Sequence, residues 1–362
     1  MKRFNIVIIV LITALALSAC GKDVTKKTSD GDTAYYSSTA TSSVDEGGGS
    51  GTSVNEDAIS LLKSVVTYDG KYAGSKIISG FPDVIEKSEG EFTYYPEGYG
   101  ENTTGGRGAS QEDVYECATG SEVISALETI KRKQSSNGKT VSAILITGTI
   151  TEDNTTPTSG NSVNYQIIVD SIDDLIILGA NENAVFDGVG INFKSCDNVI
   201  VQNVTVHHPS KTLKNEKDCL EFNNCNDVWV DHCELYNDYP SNSAEKDYYD
   251  GLLDVKNNSS GITVSYNYLH DAFKTSLIGS GPDDTFVDRA ITFHHNVFEN
   301  CNSRIPLIRS GYAHIYDNYY KNCLSRCVNT RIGAKVYVEH NVFENSKRPV
   351  TDITDGDPST GY

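Results

Sequence analysis

The sequence predicts an all-β protein: a right-handed single-stranded parallel β-helix of about seven or more coils, closed at its N-terminal end by a capping helix. Two observations carry that expectation. Short strand-like runs recur at 174–178, 198–201, 227–230, 261–264, 290–293, 313–316 and 335–338, spaced 22 to 34 residues apart. That interval suits one coil of about three short strands and three turns. Asn267, Asn296, Asn318 and Asn341 stand at matching offsets after four of these runs, as a column of amides hydrogen-bonded from coil to coil inside one turn requires. A leucine-rich horseshoe would need a Leu-x-x-Leu-x-Leu frame, and a propeller about four strands per repeat. Neither is present.

The elements follow in chain order. Lys2 and Arg3 precede an apolar run from Ile6 to Leu17, which is short for a membrane span and reads as an export signal over 1–19. Leu17-Ser18-Ala19-Cys20 resembles a bacterial lipobox, which makes Cys20 the lipidated first residue of an extracellular, membrane-anchored lipoprotein; a plain secretory signal is the alternative. Residues 20–57 are rich in Ser, Thr, Gly and Asp and poor in aliphatic side chains, the composition of a flexible tether that cannot bury enough surface to fold. Residues 58–362 suffice for one large domain, with no further composition break.

Within that domain, 121–131 has an acidic first turn and apolar residues at helical spacing, which predicts a helix protecting the open edge of the first coil. The repeat register places Cys196 over Cys225 and Cys301 over Cys323. Rungs about 4.8 Å apart allow either a disulfide or a stack of buried thiols. No CxxC or Cys/His cluster suggests zinc. After the last strand-like run the sequence ends at Tyr362 without a capping element, which leaves open that it stops short of the full fold.

The formal charge is −19, and about −21 once Lys2 and Arg3 leave with the signal. So acidic a chain is a poor general binder of nucleic acid or of acidic polymers. An anionic substrate would need locally grouped cations. Glu216 with Asp218, and Asp250 with Asp254, stand two and four residues apart, so that in strands each pair presents two carboxylates to one face. Four such groups brought together on adjacent rungs repel unless a hard divalent cation that takes oxygen ligands, here expected to be Ca²⁺, joins them. Lys274, and Arg304 and Arg309 bracketing Pro306, follow on later coils.

The order of these residues resembles a known family. Asp227-Val228-Trp229-Val230-Asp231-His232, then Ile262-Thr263-Val264-Ser265-Tyr266-Asn267-Tyr268, then Arg304-x-Pro-x-x-Arg309 resemble, in order, the motifs of the family-one polysaccharide lyases, specifically the pectate lyases. The similarity runs from about Gly98 to the chain end. It implies that Glu216, Asp218, Asp250 and Asp254 are calcium ligands, with Glu216 and Asp250 exchanging the carboxylate length usual at their positions. It implies that Lys274 binds substrate, Arg304 is the catalytic base and Arg309 clamps a uronate carboxylate, while Trp229, Asp231 and His232 are structural.

The implied reaction is β-elimination on α-1,4-linked polygalacturonate by an enzyme that is expected to be monomeric and to need no nucleic acid partner. A proton leaves C5, the C4–oxygen bond breaks, and a 4,5-unsaturated uronate remains. A guanidinium is ordinarily protonated, so a second reading has water or hydroxide take the proton beside Arg304. Three rival functions fit less well: a pectin lyase has no use for the carboxylate set, a hydrolase would need aspartates paired around a water, and a non-catalytic glycan-binding β-helix need not keep Lys274, Arg304 and Arg309.

Overall fold

The computed structural model describes residues 84–87, 91–94, 96–158, 165–209, 217–238 and 246–362. The signal, Cys20, the tether and Glu216 lie outside the described residues. Three parallel sheets, of nine, eight and eight strands among the described residues, wind into a parallel β-helix. A short antiparallel hairpin, Val84–Lys87 with Glu91–Tyr94, pairs apart from them.

One coil shows the plan. Leu220–Asn223 lies in sheet III, Asn226–Asp231 in sheet I and Glu234–Tyr236 in sheet II; Leu253–Lys256 then returns to sheet III beside Leu220–Asn223. All seven strand-like runs fall in the nine-stranded sheet I, the first as Leu175–Gly179 and the last as Lys335–Glu339. Their apolar character follows from burial on both sides, as parallel strands require. Leu175 and Ile177 face the interior of the helix; Ile176 and Leu178 join Ile200 and Trp229 in a second cluster on the outer face.

That outer face is covered by the segment around 98–109, which crosses sheet I at very close range. A Cβ on Gly106 would lie 2.0 Å from the Ser142 carbonyl oxygen, so only glycine fits there. Arg107 covers the Trp229 ring at 5.1 Å, and the indole N–H donates to Ser265 Oγ. Asp231 is buried, accepting from Ser265 Oγ and Gln202 Nε2 and pairing with His232 Nδ1. These residues brace sheet I, in keeping with a structural role.

The turn from sheet I to sheet II repeats. His232, Tyr266, His295, Asp317 and His340 all have φ near +50°, and each precedes Cys233 or one of the asparagines at 267, 296, 318 and 341. Asn267 Nδ2 donates to Asn296 Oδ1 at 3.0 Å, Asn296 to Asn318 at 2.9 Å and Asn318 to Asn341 at 2.9 Å. Each Oδ1 also accepts the backbone N–H of the residue one coil below. The ladder thus satisfies buried donors that a tight turn would orphan.

Inside, aromatic rings stack at rung spacing: Phe193 on Phe222 at 4.8 Å, Phe298 on Tyr320 at 4.9 Å and Tyr320 on Phe343 at 4.5 Å. The eight cysteines of the described residues are buried free thiols, which decides the open alternative at Cys196/Cys225 and Cys301/Cys323 in favour of stacked thiols. Helix α1, Gly120–Asn137, begins in a capping box, Thr119 bonded to the Glu122 N–H and Glu122 to the Thr119 N–H. Its apolar face, Val123, Ile124, Leu127 and Ile130, closes the core at the first coil.

Candidate active site

The connections from sheet II into sheet III carry the candidate residues, and the backbone ladder holds them in place before any strand begins. Cys219 N–H donates to the Gly251 carbonyl, Leu252 N–H to Thr275, Thr275 N–H to Ser303 and Ser276 N–H to Arg304. Lys274 and Ser303 form an isolated parallel bridge. Successive coils therefore stack Asp218, Asp250, Lys274 and Arg304 at the same mouth of sheet III, with Asp254 on the strand that follows.

Asp218 and Asp254 are almost wholly buried, with side-chain exposures of 3% and 1%. Asp218 Oδ1 accepts the Gly251 N–H at 2.8 Å, and Asp254 Oδ1 accepts the Leu277 N–H at 2.9 Å. Gly251 lets the two acids close on each other: a Cβ there would lie 2.2 Å from Asp254 Oδ1 and 3.0 Å from Asp218 Oδ1. Burial, reinforced by the charge of Asp254, pushes the Asp218 carboxyl well above the usual range. Burial also raises Asp254, with Lys256 opposing it and Asp250 adding to it.

Two participants were not foreseen from the sequence. Glu221 is the register partner of Asp254 on the neighbouring strand, and Lys256 lies two residues beyond Asp254 on the same face. Lys256 Nζ sits 2.7 Å from Asp218 Oδ2, 3.4 Å from Asp254 Oδ2 and 3.5 Å from Glu221 Oε2. The matching apolar-acid-apolar triplets Leu220-Glu221-Phe222 and Leu253-Asp254-Val255 were the available signal.

At the open side Lys274 Nζ lies 2.9 Å from Asp247 Oδ1 and 3.3 Å from Asp250 Oδ1. Burial depresses the Lys274 ammonium, but the Asp250 and Asp247 carboxylates outweigh it and raise its pKa. Arg304, with φ near +60°, brings Nη1 to 4.0 Å from the same Asp250 Oδ1. Asp250 is thus the hinge between the buried acids and the two cations.

Arg309 is placed differently. It lies on sheet III in Leu307–Arg309, but its Nε is 2.8 Å from Asp357 Oδ2 and its Nη1 donates to the Gly279 carbonyl. Asp357 also binds Arg331 Nη1 at 3.1 Å. The structure brings Asp218, Asp250, Asp254, Lys274 and Arg304 together, while the Arg309 guanidinium is engaged by the C-terminal segment. Acting as a carboxylate clamp would require Asp357 to release it.

The donor set fits a hard cation. Its acids offer only oxygen, and the buried Asp254 Oδ2 has no hydrogen bond and only the Lys256 ammonium at 3.4 Å, so a metal would supply a closer partner. Asp218, Asp250 and Asp254 are the described residues that would hold it.

Comparison with known proteins settles the family. A family profile described as pectate lyase matches residues 89–360. The chain is 38% identical over 261 residues to a pectate trisaccharide-lyase of Bacillus licheniformis, covering 72% of this chain and 69% of the relative. The chain belongs to the pectate lyase family. Membership makes it a polysaccharide lyase, and solved pectate lyases share its architecture. One from Bacillus sp. N165, in complex with trigalacturonate, superposes with a TM-score of 0.64 at 34% identity, covering 74% of this chain and 84% of that one. Pectate lyase C from Erwinia chrysanthemi, solved with Ca²⁺, gives 0.58 at 25% identity, covering 73% and 83%.

Proposed function

We propose that this pectate lyase is calcium-dependent and cleaves α-1,4-linked polygalacturonate by β-elimination, releasing 4,5-unsaturated oligogalacturonates. The observation that carries the proposal is the meeting of buried Asp218 and Asp254 with Lys274 and Arg304 through Asp250. A strongly acidic protein here presents a local pair of cations beside a cation-binding nest, which is what an anionic polymer needs. Calcium, when bound, would neutralise the substrate carboxylate and acidify the adjacent C5 proton.

The remaining roles fall to side chains. Lys274 pairs with the uronate carboxylate and stabilises the charge that grows on it as C5 loses its proton. Arg304 lies at the open side of the nest, 29% exposed, and takes the C5 proton directly or positions the hydroxide that does. Asp250 orients both cations. Arg309 joins the substrate if the polymer displaces Asp357.

The proposal extends to location. The sequence 1–19 and Cys20 support export and a lipid anchor, the only membrane attachment proposed; among the described residues no helix is long and apolar enough to cross a membrane. Mass spectrometry of the products tests the chemistry. Elimination adds no water, so the new non-reducing ends should be lighter by one water than hydrolysis products. Ends of hydrolytic mass would overturn the reading.

A further inference from the structure

A second cluster of metal-ligating side chains lies in sheet II, apart from the carboxylate nest. Val185–Asp187 and Thr205–His207 are neighbouring strands, and Asp187 and His207 are register partners at their ends. Side chains in register on one face lie within reach of each other. The next residue would ordinarily point away. His208 has φ near +52°, which breaks the alternation and brings the second imidazole beside the first, the ring planes at 83°.

The atoms converge as metal donors do. His207 Nδ1 lies 2.7 Å from His208 Nδ1 and 3.6 Å from Asp187 Oδ1, and one donor atom from each residue lies within 4.8 Å of the others. A tetrahedral metal about 2.0–2.1 Å from two nitrogens holds them roughly 3.3 Å apart, so the pair need open by a little over half an ångström.

An independent feature supports ligation. The other nitrogen of His208, Nε2, is buried and lies 3.2 Å from Asp238 Oδ1 without hydrogen-bond alignment, so a turn of the ring would give the carboxylate-to-histidine contact that typically orients a metal-bound imidazole. Asp238 also bonds the Tyr249 hydroxyl, and the Tyr249 ring packs on His208 at 5.3 Å. The His207 ring is fixed on its other side by stacking on Tyr236 at 4.6 Å. Two nitrogens and one carboxylate suit a divalent transition metal such as Zn²⁺ and not Ca²⁺.

We propose that Asp187, His207 and His208 form a transition-metal site, with Asp238 as the group that positions His208. The two Nδ1 atoms lie in hydrogen-bond contact, and a metal held by both would replace that contact. The test is a Co²⁺ titration of the full chain in excess Ca²⁺, followed by visible ligand-field absorption. One Co²⁺ per chain should bind; His207→Gln should abolish the bands, and Asp238→Asn should weaken binding about tenfold. If circular dichroism shows His207→Gln unfolded, Asp187→Asn, altering an exposed ligand only, should still weaken binding. Unchanged binding in folded His207→Gln or in Asp187→Asn would overturn the site. So would an intense thiolate-to-cobalt band, or no band at all, the imidazoles then being only a hydrogen-bonded pair.

Discussion

The Lys256 ammonium is held 2.7 Å from the buried Asp218 carboxylate, in the middle of the acids that would hold calcium. Burial depresses the Lys256 pKa, but Asp254, Asp218 and Glu221 outweigh it and push the pKa up. The lysine therefore stays charged and offsets their repulsion. Lys256→Met should destabilise the calcium-free protein by roughly 3–5 kcal/mol, the cost of stripping one partner from a buried ion pair. Added Ca²⁺ should then raise the melting temperature by more than in the parent. An equal calcium increment in both proteins would show that Lys256 does not screen the nest.

Gly251 is required by the geometry of the same acids. In Gly251→Ala the new methyl would lie 2.2 Å from Asp254 Oδ1, forcing the two carboxylates apart. The Ca²⁺ concentration for half-maximal turnover should rise about tenfold or more, as when the support of a metal ligand is lost. Unchanged half-saturation in a calcium titration would move the cation elsewhere.

Arg304→Lys keeps a positive charge beside Asp250 but removes the guanidinium from the proton-transfer position. Turnover on polygalacturonate should fall at least about 10²-fold with the circular dichroism spectrum unchanged. Near-parental turnover would take proton transfer away from Arg304 and leave it to solvent hydroxide.

Stability should depend on pH through His294, buried in sheet I, where burial and then the neighbouring His295 lower its pKa to about 3. The unfolded imidazole titrates near 6.5, so below that pH the unfolded state binds a proton that the folded state refuses. The stability is fully present above about pH 6.5 and is lost as the pH falls toward 3. Denaturant midpoints measured across this window should fall with pH in the parent and fall less steeply in His294→Gln. Identical slopes would show that His294 does not carry the effect.

Much of this was legible in the sequence because a β-helix repeats. Each coil writes its strand as a short apolar run, and four of them write the turn as an asparagine at fixed offset, so the stacking of Asn267 to Asn341 follows from the repeat alone. Asp218, Asp250, Asp254, Lys274 and Arg304 were legible for the same reason: residues one coil apart become neighbours. Glu221 and Lys256 were missed because a single charged residue in a strand looks like ordinary outer-face polarity until its register partner is known. The Arg309–Asp357 pair escaped because Asp357 lies 48 residues on, beyond the last strand-like run. The crossing of sheet I by the segment around 98–109 carries no periodicity and shows only as glycines.

The most direct measurement is the ultraviolet absorbance of polygalacturonate incubated with the full chain, with Ca²⁺, with chelator and after Ca²⁺ is restored. Unsaturated uronate should accumulate with calcium, cease with chelator and resume on restoration, and Asp254→Ala should need far more calcium. New reducing ends without that absorbance, or a rate indifferent to chelator, would contradict a calcium-dependent elimination at this site.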